Sequence, residues 1–331
     1  PGNQNYDSAQ TLLTYVFQYG SMNYFGLGAI LNQVGNPDLK WQTTLDKNFG
    51  IDITLLNKRL NITVDYFHKV TDPLLIRIGM PLSSGTPTYM TNAGEQTSQG
   101  VTATASYYII QNFDKRFSWM VRANLRTQKT RIDKIGDKLS LLNASGKGAN
   151  TVRYYDGADP DDIWAVRSAG IDPSNGKELF YAKDGSYTYD FSYDDEVICG
   201  NTRPDVEGVI GSSLNWKGFS VSLNFRYQMG ADVFNEALYN KVENISRNDL
   251  NKNQDKRALY ERWQEVGDIV HFKDIASAET TPMSSRFVQE ENVLTLESIY
   301  VGYEFYDGWI KKLGLSSLKI QASMRDVFRA S

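Results

Sequence analysis

The stretch FSVSLNFRYQM, Phe219 to Met229, alternates without interruption: Phe219, Val221, Leu223, Phe225, Tyr227 and Met229 fall on one face, and Ser220, Ser222, Asn224, Arg226 and Gln228 on the other. A period of two residues is that of a β-strand with one apolar and one polar face. Arg59 to Lys69 repeats it, with Leu60, Ile62, Val64 and Tyr66 set against Asn61, Thr63, Asp65 and Lys69. So do Leu45, Phe49, Ile51, Ile53 and Leu55, and again Phe117, Trp119, Val121, Ala123 and Leu125. Shorter versions run through Val101 to Tyr107, Ile299 to Phe305 and Leu318 to Met324. The pattern predicts an antiparallel all-β protein of about nine strands, the first of them poorly defined within Thr11 to Tyr19.

The connections alternate in length. Short turns are predicted at Asn57-Lys58-Arg59, Gln111 to Arg116, Trp216-Lys217-Gly218 and Asp307 to Leu315. Long ones lie between them, at about 20–38, 79–99, 135–203 and 230–290. Transmembrane barrels sort their connections this way, with short turns at one end and long loops at the other. A β-sandwich has no general reason to do so, because both of its poles are solvated.

Composition bounds the alternatives. The chain has 331 residues, 41% of them hydrophobic and 22% charged, which excludes wholesale disorder. One Cys, Cys199, excludes an internal disulfide, and with only two His a His/Cys zinc cluster is hard to assemble. A net charge of -4 argues against nucleic acid as the partner. No apolar run is long enough for a spanning helix, whereas a spanning strand needs only about 9–11 residues. The opening PGNQNYDSAQ has neither the basic start nor the apolar core of a signal peptide.

Two regularities favour a membrane barrel. Counting away from the short turns on the apolar face, the first ionisable residues are Lys47, His68, Lys129 and Glu297, each about one hydrocarbon thickness along its strand. Aromatic residues gather near the short turns on that face, namely Phe117, Trp119, Trp216, Phe219, Tyr303 and Phe305, with Trp309 in the last turn. Together they have the composition of an interfacial girdle. Aromatics filling a sandwich core would account for any one of them but not for their clustering at one end. The opposite face carries Asp46, Asp52, Asp65, Lys69, Arg122, Arg126, Arg226, Lys319 and Arg325. Charges of both signs suit a wet or plugged lumen and not a dry core. Since bacterial barrels have even strand numbers, nine strands are expected to be part of a larger barrel.

With the strands placed, one run is specific. GNPDLKWQTTLDKNFGIDITLLNKRLNITVDYFHKVTDPLL, Gly35 to Leu75, closely resembles the signature NPDLKWE, GxD, NRLxxTxDYYxKxTxDLL of the SusC/RagA family of TonB-dependent outer-membrane transporters. Four further runs follow in family order. They are GNQN at Gly2 to Asn5, AVRSAGIDPSNGKELF at Ala165 to Phe180, RWQEVGD at Arg262 to Asp268, and SRFVQEENVLTLESIYVGYEF at Ser285 to Phe305. The resemblance implies that residues 1–331 are the C-terminal portion of a 22-stranded barrel in the Gram-negative outer membrane. It implies extracellular long loops, a SusD-like lipoprotein lid, and TonB acting through an N-terminal segment that this chain lacks. The plug domain and a final strand with a terminal aromatic residue are expected to lie outside it too. The implied activity is active import of a large nutrient, most often a glycan and in some branches a peptide. A carbohydrate-binding β-sandwich without transport and a passive porin are the alternatives.

Candidate sites lie in the loops. Tyr187, Tyr189, Tyr193 and Trp164 offer aromatic faces that could stack on sugar rings or hold a peptide. The same residues could equally build the loop's own core or meet the lipoprotein, and the family-like setting of Trp164 favours a structural part for it. Asp156, Asp159, Asp161, Asp162 and Asp194, Asp195, Glu196 have the chemistry of Ca²⁺ ligands. Their spacing is not that of an EF-hand, so solvated loop acids are expected and no cofactor is implied. DPSNGKE, Asp172 to Glu178, is expected to be a turn. A helix is predicted over Asp255 to Val266, with Leu259 and Trp263 four apart and Gly267 as its stop. Neither His68 nor His271 stands beside a nucleophile motif, and nothing selects a carboxylate pair, so no enzymatic activity is expected.

Overall fold

The computed structural model describes residues 12–16, 28–86, 88–112, 114–249, 251–274, 276–277, 279–306 and 308–331. The GNQN run lies outside them. One eight-stranded antiparallel sheet dominates: β1 (Thr43–Leu55), β2 (Leu60–Asp72), β3 (Glu95–Asn112), β4 (Phe117–Asp133), β5 (Val206–Trp216), β6 (Phe219–Phe234), β7 (Val288–Phe305) and β8 (Leu318–Ala330). Each strand pairs with its neighbour in chain order, so the sheet is an up-and-down meander with two open edges. The expected ninth strand is not part of it. Leu12–Val16 pairs instead with Gly28–Gln33, inside what was expected to be a loop. The predicted short strands are also longer than expected, β3 and β7 reaching 18 residues each.

The short turns have local causes. Leu56, Asn57 and Lys58 all take left-handed φ, closing β1 onto β2. Arg59 then reaches across to the β3 carbonyls of Tyr108 (2.9 Å) and Ile109 (2.5 Å). Those carbonyls sit at a register shift between Tyr108 and Ile110, so the guanidinium satisfies acceptors that the bulge leaves out of the ladder. Lys217 and Gly218 also have positive φ, 47° and 94°, the two-residue turn whose twist matches a hairpin. Gly218 is required twice over, because a Cβ there would lie 2.4 Å from the Glu304 carbonyl oxygen.

Strand tilt follows from the register. The row of direct partners that begins at Leu60, the first residue of β2, runs through Tyr107, Val121, Ser212, Leu223 and Ile299 to Met324. Met324 lies six residues past Leu318, the start of β8. If the short turns share one level, about 20 Å of slip over about 29 Å of sheet makes the tilt roughly 35°. Membrane barrels tilt their strands by about 35–45°.

No second sheet among the described residues covers Val221, Leu223 or Phe225. Among the described residues the other ladders have two or three strands, within the long connections or near the chain start. The buried clusters are there too. Ile132, Ile135 and Leu139 pack with Leu74, Ile76 and Ile78 above the β4 end, and Leu238, Val242, Ala258, Phe272 and Phe287 pack beyond β6. The sheet's apolar face stays open, with Ile51, Ile210, Val301 and Met324 exposed. A sandwich is thus not the architecture.

Candidate functional site

The sheet's two faces sort the predicted residues. Phe117 is paired with Trp216, Trp216 with Phe219, and Phe219 with Tyr303, giving one aromatic row across four strands at their short-turn ends. Phe305 lies beside Tyr303 (ring centroids 4.6 Å apart) and Trp309 beside Phe305 (5.8 Å). Trp119 sits one layer further from the turns and donates its indole N–H to Ser212 Oγ at 3.0 Å. An aromatic ring with a satisfied polar tip is suited to an apolar–polar boundary. Asp52, Asp65, Arg122, Arg126 and Arg226 all occupy the opposite face. There Asp52 accepts from Thr63 Oγ1 (2.6 Å), and Arg126 lies 5.7 Å from the Phe67 ring centre.

Lys47, His68 and Lys129 form one row on the apolar face, with Gln99 between the last two. Glu297 does not belong to that face. A bulge between Leu296 and Ser298 turns it to the polar side, where Arg226 donates to its carboxylate at 2.5 Å. Period-two counting fails wherever an extra residue enters a strand.

The long loops build a knot over the far ends of the strands, and the family-like runs meet inside it. Asp172 opens the expected turn, its Oδ1 accepting the Ser174 N–H (2.8 Å) and its carbonyl the Gly176 N–H (2.8 Å). The predicted helix over Asp255 to Val266 shrinks to one turn, Arg257–Tyr260, and Leu259 is exposed. Trp263 docks on the Asp172 turn instead. Its indole N–H donates to the Pro173 carbonyl (3.0 Å), joined there by the Gly267 N–H (2.9 Å). Its ring lies over Gly176, where a Cβ would approach it to 2.6 Å. Tertiary docking thus outweighs a weak helical period.

Beneath this contact lies a charge cluster that local sequence patterning does not reveal. Arg286 binds Glu178 (2.9 Å) and Glu243 (2.7 Å), and Ser284 Oγ donates to Glu178 at 2.5 Å. Glu243 is fully buried and also accepts from Thr281 Oγ1 (2.7 Å). Arg262 donates to the carbonyls of Glu243 and Lys273, each at 2.9 Å. Burial opposes the charge on Arg286, but the two carboxylates outweigh it and hold its pKa above the ordinary value. The only hint in the sequence is that Glu178, Arg262 and Arg286 each fall within a family-like run.

The loop acids are taken up by the loops. Asp159 and Asp161 pair with Arg203, Asp156 accepts the Ile135 N–H (2.8 Å), and Asp195 the Lys183 N–H (2.8 Å). Glu196 departs from the expectation of a solvated acid. It is buried and bound by both Nε (2.9 Å) and Nη2 (2.6 Å) of Arg153. Among the described residues no three His, Cys, Asp or Glu converge as a metal site.

The four loop aromatics separate into two kinds. Trp164 packs on Tyr155, ring centres 4.8 Å apart, with its indole nitrogen buried and without a hydrogen-bond partner among the described residues. Tyr193 meets Phe191 edge-on at 4.8 Å, and Phe191 meets Phe180 at 5.3 Å, a small internal core. Tyr187 is 62% exposed beside Tyr181 at 4.9 Å, and Arg167 lies 5.3 Å from the Tyr181 ring centre. Tyr189 donates its hydroxyl to Asp172, which holds that carboxyl below its usual range and raises the phenol. An accessible aromatic patch thus stands on a turn clamped by Trp263.

Known proteins match this geometry. The model of the family described as TonB dependent receptor-like, beta-barrel matches residues 3–251. TonB-dependent receptor P39 of Formosa agariphila is 25% identical over 99% of this chain and 35% of its own length. TonB-dependent receptor SusC of Bacteroides thetaiotaomicron is 26% identical over 83% of this chain and 27% of its own. The structure of the RagAB peptide transporter superposes with a TM-score of 0.79 at 24% identity, covering 98% of this chain and 35% of that one. The chain thus spans about a third of the length of these relatives. Its strands, its row of aromatics and its family model agree: the chain belongs to the TonB-dependent receptor-like β-barrel family.

Proposed function

We propose that this chain is part of the barrel wall and outer mouth of an outer-membrane importer for an oligomeric nutrient. The observation that carries the reading is the sheet itself, whose eight tilted strands have an open apolar face, an aromatic row at the short-turn end and elaborate loops at the other. The apolar face meets lipid, the face with Asp52, Asp65, Arg122, Arg126 and Arg226 lines the lumen, and the aromatic row from Phe117 to Tyr303 lies at the periplasmic interface. The ligand is a glycan, met by the exposed rings of Tyr187 and Tyr189. A peptide is the second reading, favoured by the solved peptide transporter with a similar fold. A SusD-like lipoprotein covers the loop knot, and TonB supplies the energy through another part of the protein. The process is transport without catalysis.

The test is uptake by cells of a fluorescent oligosaccharide and a fluorescent oligopeptide. Deleting the full-length gene is expected to abolish uptake of one of them, and collapsing the proton gradient to do the same. Uptake that survives a protonophore would identify a passive porin instead. Losing the Tyr187 stacking face is worth about 1 kcal/mol. Tyr187→Ala is therefore expected to weaken ligand binding roughly fivefold. Unchanged affinity in a titration of the purified full-length protein would remove Tyr187 from the ligand site.

A further inference from the structure

The lipid-facing reading leaves one group of side chains without an assignment. Lys47, His68 and Lys129 lie in a single row of direct partners with Gln99, spanning β1 to β4 on the apolar face. One layer closer to the short turns the same face carries Phe49, Tyr66, Val101 and Thr127. The phenol of Tyr66 points up to Gln99 Oε1 at 3.5 Å. One layer further from the short turns the face stays apolar on β1 and β2, with Leu45 and Val70, and turns polar on β3 and β4, with Thr97 and Arg131. Its lysines are uncompensated: among the described residues no ion pair involves Lys47 or Lys129, whereas Lys69, the next residue along β2 but on the polar face, is paired with Asp46 at 3.1 Å. With His68 and Gln99 between them, the two lysines span four strands and about 14 Å.

A cleft of about 650 Å³ opens beside the row, lined by His68, Gln99, Lys129 and Arg131 on one side and by Asp159, Asp162, Arg203 and Asp205 on the other. Arg203 is shared by Asp159 and Asp161, Asp162 accepts from Asn201 (2.8 Å) and Arg131 pairs with Asp133 (2.7 Å), so the available donors, His68, Gln99 and Lys129, all lie on the side of the row, and Asp205 stands on the opposite wall. Resting on the membrane reading above, we infer that this row and cleft hold the phosphorylated headgroup of an outer-leaflet lipid. With the strand tilt the row slants, Lys129 standing about 8 Å further from the short-turn level than Lys47, and lysines so placed gain both the phosphate charge and the low dielectric of the adjoining layer. The acyl chains of the same lipid would lie on Phe49, Ile51, Ile62 and Val64, directly toward the short turns. The bound lipid then becomes a fixed part of the outer wall beneath the loops.

The test uses the full-length protein in phosphatidylcholine nanodiscs doped with phosphatidic acid, the retained lipids being read by native mass spectrometry after detergent release. Phosphatidic acid is expected to be retained roughly tenfold over phosphatidylcholine. The combined Lys47→Gln, His68→Gln and Lys129→Gln variant is expected to retain the two equally, while Lys47→Arg with Lys129→Arg keeps the preference. Millimolar inorganic phosphate is expected to leave it intact, since the acyl chains contribute to the site. A protein that enters the bilayer but shows no preference, or keeps it in the glutamine variant, overturns the headgroup site alone. One that does not enter the bilayer overturns the membrane reading with it.

Discussion

Replacing Arg286 by methionine is expected to release the loop knot while leaving the strands paired, at a local cost of about 3–5 kcal/mol. The guanidinium joins Glu178 on one loop to Glu243 on the next, with both carboxylates almost wholly out of solvent. Without it two buried negative charges face each other, and the Ser284 and Thr281 hydroxyls and the Lys273 backbone N–H offer only neutral donors. The loops must then open to hydrate the carboxylates. Hydrogen exchange should show lost protection at the Gly267 amide and the Trp263 indole N–H, both of which donate to the Pro173 carbonyl in the docked Asp172 turn, with β6 and β7 unchanged. The cost lies in the unpaired charge more than in the lost contact. Adding Glu243→Gln to Arg286→Met should therefore recover part of the protection, a coupling visible in a double-mutant cycle. Equal protection in the wild type and Arg286→Met would show that the knot stands on its apolar cluster alone.

That cluster also marks where sequence patterning stops. The faces of β6 are legible because one residue in two is apolar over eleven positions, and adjacent strands repeat the same phase. Lys47, His68 and Lys129 could likewise be anticipated as the first ionisable residues on the apolar face, since the phase of a hairpin is set by its turn, although counting from the turns does not place them in one row. Glu297 could not, because one bulge reverses the phase and bulges carry no period. Nor could the pairing of Glu178 with Arg286, 108 residues apart. Each of these charges is indistinguishable by type from those of a solvated loop. The Asp255 to Val266 segment failed for a related reason: Leu259 and Trp263 have helical spacing, but Trp263 gains more from Gly176 and Pro173 than a marginal helix can return.

Leu223→Arg and Ser222→Arg are expected to differ sharply although the positions are adjacent. Leu223 lies on the face with Ser212 and Ile299, four residues above the aromatic row at Phe219, while Ser222 faces the other way toward Ser213 and Tyr300. Four residues of a strand tilted by roughly 35° climb about 11 Å, which sets Leu223 near the middle of an apolar band about 25 Å tall. An arginine there must carry its charge into the hydrocarbon, at a cost of about 2–4 kcal/mol. At position 222 the same side chain enters a face that already accommodates Arg122, Arg126 and Arg226. Urea unfolding of the full-length barrel in lipid vesicles should therefore place Leu223→Arg about 2–4 kcal/mol below the wild type, and Ser222→Arg within about 1 kcal/mol of it. In detergent-free buffer the order has no reason to persist, because both faces would then meet water. If the two substitutions cost the same in vesicles, Leu223 does not touch acyl chains, and the lumen, the interfacial row and the headgroup site lose their common basis.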